Sequence, residues 1–287
     1  MLIKTSDIKS IQPFLDKLYI PSSYSHKGHN GKVLIVGGSS LFHSASIWAA
    51  EVASYFVDIV HYCSTEINSK VFLSLKKKFH NGIVVSAKDL DNYAKEDDAI
   101  LLGPGMLRGE SAEALSARKL VGKIITQFPK KQFVLDAGAL QMMAPKWLVG
   151  LKVKPILTPQ SREFEVLFGV KITDKSQTEI MKIVQQTARR HKCIIILKRV
   201  VDIISDGRKV YLVEGGNAGL TKGGTGDILA GLAVALSAKN DALTSAVIAS
   251  FILKKTAEKL FLTHGYWYNI ASLLDTIPRT LKELKLR

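Results

Sequence analysis

The chain has 287 residues, is 47 % apolar, and carries a formal charge of +15 from 40 Lys and Arg against 25 Asp and Glu. This composition excludes a disordered chain and allows a substantial core. The longest apolar run, "ILAGLAVALSA", is too short to cross a bilayer, so no membrane partner is expected.

The opening "MLIKTSDIKSIQ" lacks the pattern of a secretion signal, and a cytoplasmic location is the expectation. "KVLIVGG" (32–38) reads as a buried strand, "SASIWAAEVASYF" (44–56) as a helix and "DIVHYCS" (58–64) as the next strand. "DDAILLGPG" (97–105), "QFVLDAG" (132–138) and "KPILTP" (154–159) are strands that end in Gly or Pro. Helical spacing marks 111–128 and 174–190; in the latter Ile180, Ile183, Val184 and Thr187 share a face. Then "CIIILK" (193–198), "VVDIIS" (200–205) and "VYLVEG" (210–215) follow closely, with "DGRK" (206–209) as a hairpin turn. From Gly226 onward the chain reads as helical, and 241–261 is apolar enough to pack across a sheet. Apolar strands separated by helices imply an α/β fold, a parallel sheet covered on both faces and joined by antiparallel strands at its edge. No linker interrupts the pattern, so one domain is expected. Cys63 and Cys193 read as buried thiols in a reducing compartment.

A basic chain suits nucleic acid or small phosphorylated ligands. The densest basic runs, Lys76 to Lys78 and Lys130–Lys131, have no interleaved aromatics to stack on bases, which disfavours nucleic acid. In an open α/β sheet, ligands bind beyond the carboxyl ends of the strands. Those ends here carry "GGSS", "GPGM", "DAGAL", "TPQSRE" and "LKR".

The segment "GLTKGGTGDILAG" (219–231) sets Gly223, Gly224, Thr225 and Gly226 before an apolar helix headed by Asp227. Glycine amides at a helix start can cradle a phosphate. A carboxylate beside that cradle can take the proton of an attacking hydroxyl. The bland alternative is that Asp227 or Thr225 caps the helix, which leaves the glycines unexplained. The nucleoside-triphosphate P-loop string is absent, and "VGGSSL" (36–41) lacks the third glycine of a dinucleotide fingerprint.

"GNAGLTKGGTGDILAGL" (216–232) resembles the signature of the ADP/ATP-dependent NAD(P)H-hydrate dehydratases, a family of the ribokinase-like superfamily. "HKGHNGKVLIVGGSS" (26–40), "LLGPGM" (101–106), "VLDAGAL" (134–140), "ILTPQSREFEVLFG" (156–169) and "YNIASLLDTIPRTLKEL" (268–284) resemble further family segments in the same order. The resemblance implies a single ribokinase-like domain over 1–287, a three-layer αβα sandwich with 1–25 as an N-terminal extension. It also implies repair of hydrated NADH and NADPH. ADP or ATP, with ADP favoured, phosphorylates the offending hydroxyl in the presence of Mg²⁺, and loss of phosphate restores the ring.

Carried over by this resemblance, Asp227 is the base, and Gly224, Thr225 and Gly226 supply amides to the transferring phosphate. Lys198, Arg199, Val200, Val201 and Asp202 border the adenosine, and Asn217 shapes the phosphate loop. Ala45, Gly105 and Gln160 lie on the hydrate side, and Glu163 supports Mg²⁺ through water. Each also has a plainer reading. Lys198 is a strand-end lysine, Asn217 a turn residue, Gly105 a turn glycine and Glu163 a first-turn acid favoured by the helix dipole.

The chain departs from the family pattern at Gln160 (His there), Gly138 (a second acid), Arg199 (Gly) and the bulky Leu41 and Phe42. Family members are often homo-oligomers, and the 241–261 helix suits either a subunit contact or a buried core. The competing functions are a ribokinase-like kinase of a small alcohol or vitamin precursor, and a catalytically inactive nucleotide-binding module.

Overall fold

The computed structural model describes residues 1–77 and 79–285. Lys78 of the basic run, and residues 286 and 287 of the expected 1–287 unit, lie outside them. Ten strands form one sheet: β1 (Leu2–Lys4), β2 (Lys32–Val36), β3 (Ile59–Cys63), β4 (Ile83–Val84), β5 (Ala99–Leu102), β6 (Gln132–Leu135), β7 (Ile156–Leu157), β8 (Ile194–Leu197), β9 (Asp202–Ser205) and β10 (Val210–Glu214). Their spatial order is β1-β10-β9-β8-β7-β6-β5-β2-β3-β4. Only β9 reverses, running antiparallel to both β8 and β10; every other neighbour is parallel. The outermost strand on this side is β1, from the 1–25 stretch, with Leu2, Ile3 and Lys4 opposite Leu212, Val213 and Glu214.

Alternate strand residues feed two separate cores, as a sheet covered on both faces requires. Val33, Ile35, Leu101, Val134 and Ile196 face one cluster; Leu34, Val36, Leu102, Leu135 and Leu197 face the other. The Ser44–Ala53, Thr225–Ser237, Ala242–His264 and Ile270–Lys285 helices cover the first face. The Ala112–Gln127, Ser161–Phe168 and Gln177–Arg190 helices cover the second, completing three layers. Several of these helices start where a side chain satisfies a free amide. Ser111 accepts from Ala114, Ser176 from Glu179 and Asp241 from Thr244. The Ala242–His264 helix is core along most of its length, with Ala246 to Ile252 fully buried.

Close packing aims the glycine segment at the sheet edge. A Cβ on Gly231 would lie 2.4 Å from Val52 Cγ1 and 2.6 Å from Ala49 O, so only glycine lets the Thr225–Ser237 and Ser44–Ala53 helices approach this closely. Cys63 and Cys193 are free and buried; burial pushes their thiols up to about 11 and about 12, so both are inert at neutral pH. Among the described residues no helix is long and apolar enough to cross a membrane.

Candidate active site

The Thr225–Ser237 helix begins without a side-chain cap. Its N-cap is Gly224, at φ +102°, and a Cβ there would lie 2.6 Å from the Trp48 ring. Neither bland capping role is met. Thr225 Oγ1 instead donates to Leu220 O at 2.8 Å and Lys222 O at 3.0 Å, tying down the preceding turn. An uncapped helix start leaves first-turn amides available to an anion. Gly223 has open space around it, with nothing within 4 Å of a Cβ. Gly224→Ala is therefore expected to cost on the order of 1–3 kcal/mol in thermal or urea unfolding, with Gly223→Ala close to neutral.

Asn217 builds the turn from behind. Its Oδ1 accepts from Gly219 N at 2.9 Å and from the Tyr268 hydroxyl at 2.8 Å, while Nδ2 donates to Ala257 O at 2.7 Å. With all three bonds made, Asn217 shapes the loop.

Three strand ends and the start of the Thr225–Ser237 helix bring a charged cluster to the same place. Lys198, just after β8, lies 2.9 Å from Asp136, just after β6, and 3.9 Å from Glu163. Thr158 Oγ1 also donates to Asp136, at 2.6 Å. Lys198 Nζ would be 3.2 Å from a Cβ on Gly226, which places the ammonium against the glycine turn. Burial opposes its charge, but Asp136 and Glu163 restore it, and the ammonium is held above its ordinary value. Asp227 completes the cluster. Burial first, and the Asp136 carboxylate second, push it up to about 7 against the opposing pull of Lys198. A carboxyl that titrates near neutrality beside a glycine-rich helix start is what proton transfer during phosphoryl transfer needs.

A cleft of about 710 Å³ opens from this cluster, and Lys198, Arg199, Val200, Asn217, Thr225 and Gly226 all line it. Val201 is not among its lining residues. Asp202 lines the cleft as well and anchors the 199–201 turn, accepting Arg199 N at 2.9 Å and Ser250 Oγ at 2.7 Å. Lys254, 3.6 Å from Asp202, donates to Val200 O at 2.8 Å. Gln160 lines the cleft too, beside Lys198, to which its backbone is bridged.

The hydrate-side residues form a second group. A Cβ on Gly105 would lie 3.1 Å from Ala45 Cβ and 2.9 Å from Phe42 O, so the two predicted residues meet. The Ser44–Ala53 helix that carries Ala45 presents Trp48 to Gly224 one turn later, which links this group to the glycine turn. Leu41 and Phe42 stand exposed above it, on a loop that Glu113 holds through Ser40 N at 2.8 Å and Ser40 Oγ at 2.6 Å. Gly138 has a steric cause: a Cβ there would lie 2.5 Å from Met106 O, so no acid fits.

Glu163 is already engaged. One oxygen accepts Gln160 N at 2.8 Å in a capping box and the other accepts Gln141 Nε2 at 3.0 Å. Lys198 occupies the space between Glu163 and Asp136, and the described residues contain no group of three or more His, Cys, Asp or Glu poised for a metal. These side chains do not form a cage for Mg²⁺. Sequence reasoning passed over Asp136, although an acid closing a buried strand at the carboxyl edge is a recognisable signal. It also missed Lys254, a lysine inside an apolar helix.

This architecture and cleft define a ribokinase-like α/β protein. A ribokinase-like superfamily protein of Enterococcus faecalis superposes with a TM-score of 0.84 at 20 % identity, over 100 % of this chain and 97 % of that one. The ADP/ATP-dependent NAD(P)H-hydrate dehydratase of Bacillus subtilis, crystallised with ATP and Mg²⁺ and soaked with CoA, gives 0.79 at 22 % identity over 98 % and 99 %. At these identities the two likenesses concern the fold. The sequence model of the NAD(P)H-hydrate dehydratase family matches residues 33–279, and the chain belongs to that family.

Among curated relatives, an ADP-dependent (S)-NAD(P)H-hydrate dehydratase of Nitrosopumilus maritimus is 33 % identical over 85 % of this chain and 86 % of its own length. The bifunctional NAD(P)H-hydrate repair enzyme Nnr of Methanocaldococcus jannaschii is 34 % identical over 91 % of this chain and 50 % of its own length. The chain spans about half the length of several such bifunctional relatives.

Proposed function

We propose that this chain dehydrates (6S)-hydrated NADH and NADPH at the expense of a nucleotide, with ADP favoured over ATP. The observation that carries the reading is Asp227, pushed up to about 7 beside an uncapped glycine turn. Family membership and the name of the Nitrosopumilus maritimus relative support the substrate and the ADP preference.

The chemistry follows from leaving-group ability, for hydroxide leaves a carbon poorly and phosphate leaves well. Asp227 takes the hydroxyl proton as that oxygen attacks the terminal phosphorus, held by the amides of Gly224, Thr225 and Gly226. ADP becomes AMP, and the hydrate becomes a phosphoester. The carbon–oxygen bond then breaks, the oxygen departs with phosphate, and the neighbouring carbon loses a proton to form the ring double bond.

Lys198 keeps Asp136 and Glu163 from raising Asp227 further, and it offers positive charge to the phosphates. Arg199 and Val200 border the adenosine, while Asp202 and Lys254 hold their turn from below. Ala45, Gly105 and Gln160 face the hydrate, where Gln160 contributes an amide hydrogen bond in place of a titratable group. Asn217 keeps the phosphate turn in shape. No step is assigned to Mg²⁺, because the carboxylates that would hold it are committed to Lys198 and to the Ser161–Phe168 helix start.

Incubation with hydrated NADPH, Mg²⁺ and ADP or ATP is expected to regain the near-ultraviolet absorbance of the reduced ring. Flat absorbance with both nucleotides would contradict the reading. A stable phosphoester would instead assign a small-alcohol kinase.

A further inference from the structure

A second cleft, of about 680 Å³, lies at the opposite end of β8 from Lys198. Lys154, Arg189, Lys192 and Arg208 surround it, together with Gln186 and a single acid, Asp206. They come from three places: the approach to β7, the end of the Gln177–Arg190 helix, and the β9–β10 turn.

The frame that carries them is rigid. A Cβ on Gly207 would lie 2.6 Å from Arg189 Cα, so the turn is pressed against the helix. Gln185 Nε2 donates to Arg208 O at 2.7 Å, and Lys154 Nζ to Asp206 O at 2.8 Å. Asp206 spends one oxygen on the amides of Arg208 and Lys209, at 2.8 and 2.9 Å. Among the described residues, none of the four cations reaches a carboxylate within 4.0 Å, whereas Lys32, Lys123 and Lys239 all do. A helix C-terminus attracts cations, which accounts for Arg189 and Lys192. It does not account for Lys154 and Arg208, held on other elements.

Four cations around one acid, Asp206, which Lys154 partly balances, leave a net positive charge that an anion relieves. Two arginines add forked donors suited to phosphoryl oxygens. No aromatic ring lines the cleft, so a base would have nothing to stack on. We infer that this cleft binds a compact polyphosphate anion, at a site separate from the nucleotide cleft.

Calorimetric titration of the full chain with inorganic tripolyphosphate, in low salt and with excess ADP present, tests this. A binding event that survives ADP is expected. It should weaken at least ~10-fold in Arg189→Gln/Arg208→Gln and in Lys154→Gln/Lys192→Gln, and persist in Arg162→Gln/Arg199→Gln, which alters only the nucleotide cleft. All six of these side chains are exposed, and a thermal melt verifies that each variant is folded. Absence of ADP-insensitive binding, or undiminished affinity in both cleft variants, would overturn the inference. So would a single-stranded RNA oligomer that outcompetes tripolyphosphate through the same residues.

Discussion

Asp227→Asn is expected to lower turnover by roughly a hundredfold or more, the scale of a positioned base, and to make the protein harder to unfold above neutral pH. Both effects have one cause. Folding moves this carboxyl from an ordinary 3.8 to about 7. Between those values the folded chain holds a proton that the unfolded chain has released, so the wild type loses stability as pH rises. Asparagine has no proton to lose. The wild type should therefore lose ~2–4 kcal/mol more than the variant between pH 4 and pH 8 in urea melts. In the wild type kcat/KM should climb with pH and level off above about 7, as the base ionises. ADP affinity should hold or improve, since a charge that repels phosphate has gone. Equal pH dependence of stability in the two proteins would contradict the assignment.

Lys198→Met should act in the opposite sense on stability. It leaves Asp136, with a side chain only 2 % exposed, beside Glu163 and Asp227 without the cation that balances them. Removing one member of a buried pair costs about 3–5 kcal/mol, and here the loss should be greatest above about pH 7, where Asp227 is ionised. Lys198 also pulls Asp227 down, so without it the acid limb of the rate profile should move alkaline by ~1 unit. Lys198→Arg keeps the charge and should recover most of the stability. An unshifted rate profile in Lys198→Met would place the ammonium outside the electrostatics of the base.

Much of this site can be read along the chain because its parts are local. The glycines before Asp227 sit in one short segment, and Gly224 and Gly231 meet Trp48 and Val52 because a helix start and a close helix crossing require them there. The long apolar strands and the amphipathic Gln177–Arg190 helix carry periodicity enough to be seen. The charged cluster is different. Asp136, Glu163 and Lys198 come together through the parallel register of β6, β7 and β8, Asp227 joins them from a helix start, and nothing local at any one position announces the other three. Likewise, nothing local shows that the two oxygens of Glu163 accept from Gln160 and Gln141. β1 and β4 have 3 and 2 residues, too few for a period, and the Glu66–Ser74 helix bunches its apolar residues at 71–73 rather than spacing them along a stripe.

The central claim is that phosphorus is transferred to the hydrate's own oxygen. Hydrated NADPH labelled with ¹⁸O at that hydroxyl, turned over with ADP, follows the oxygen. The label should appear in inorganic phosphate, one atom for each reduced ring regained. Label released into water, with unlabelled phosphate, would mean that the hydroxyl leaves without ever being phosphorylated.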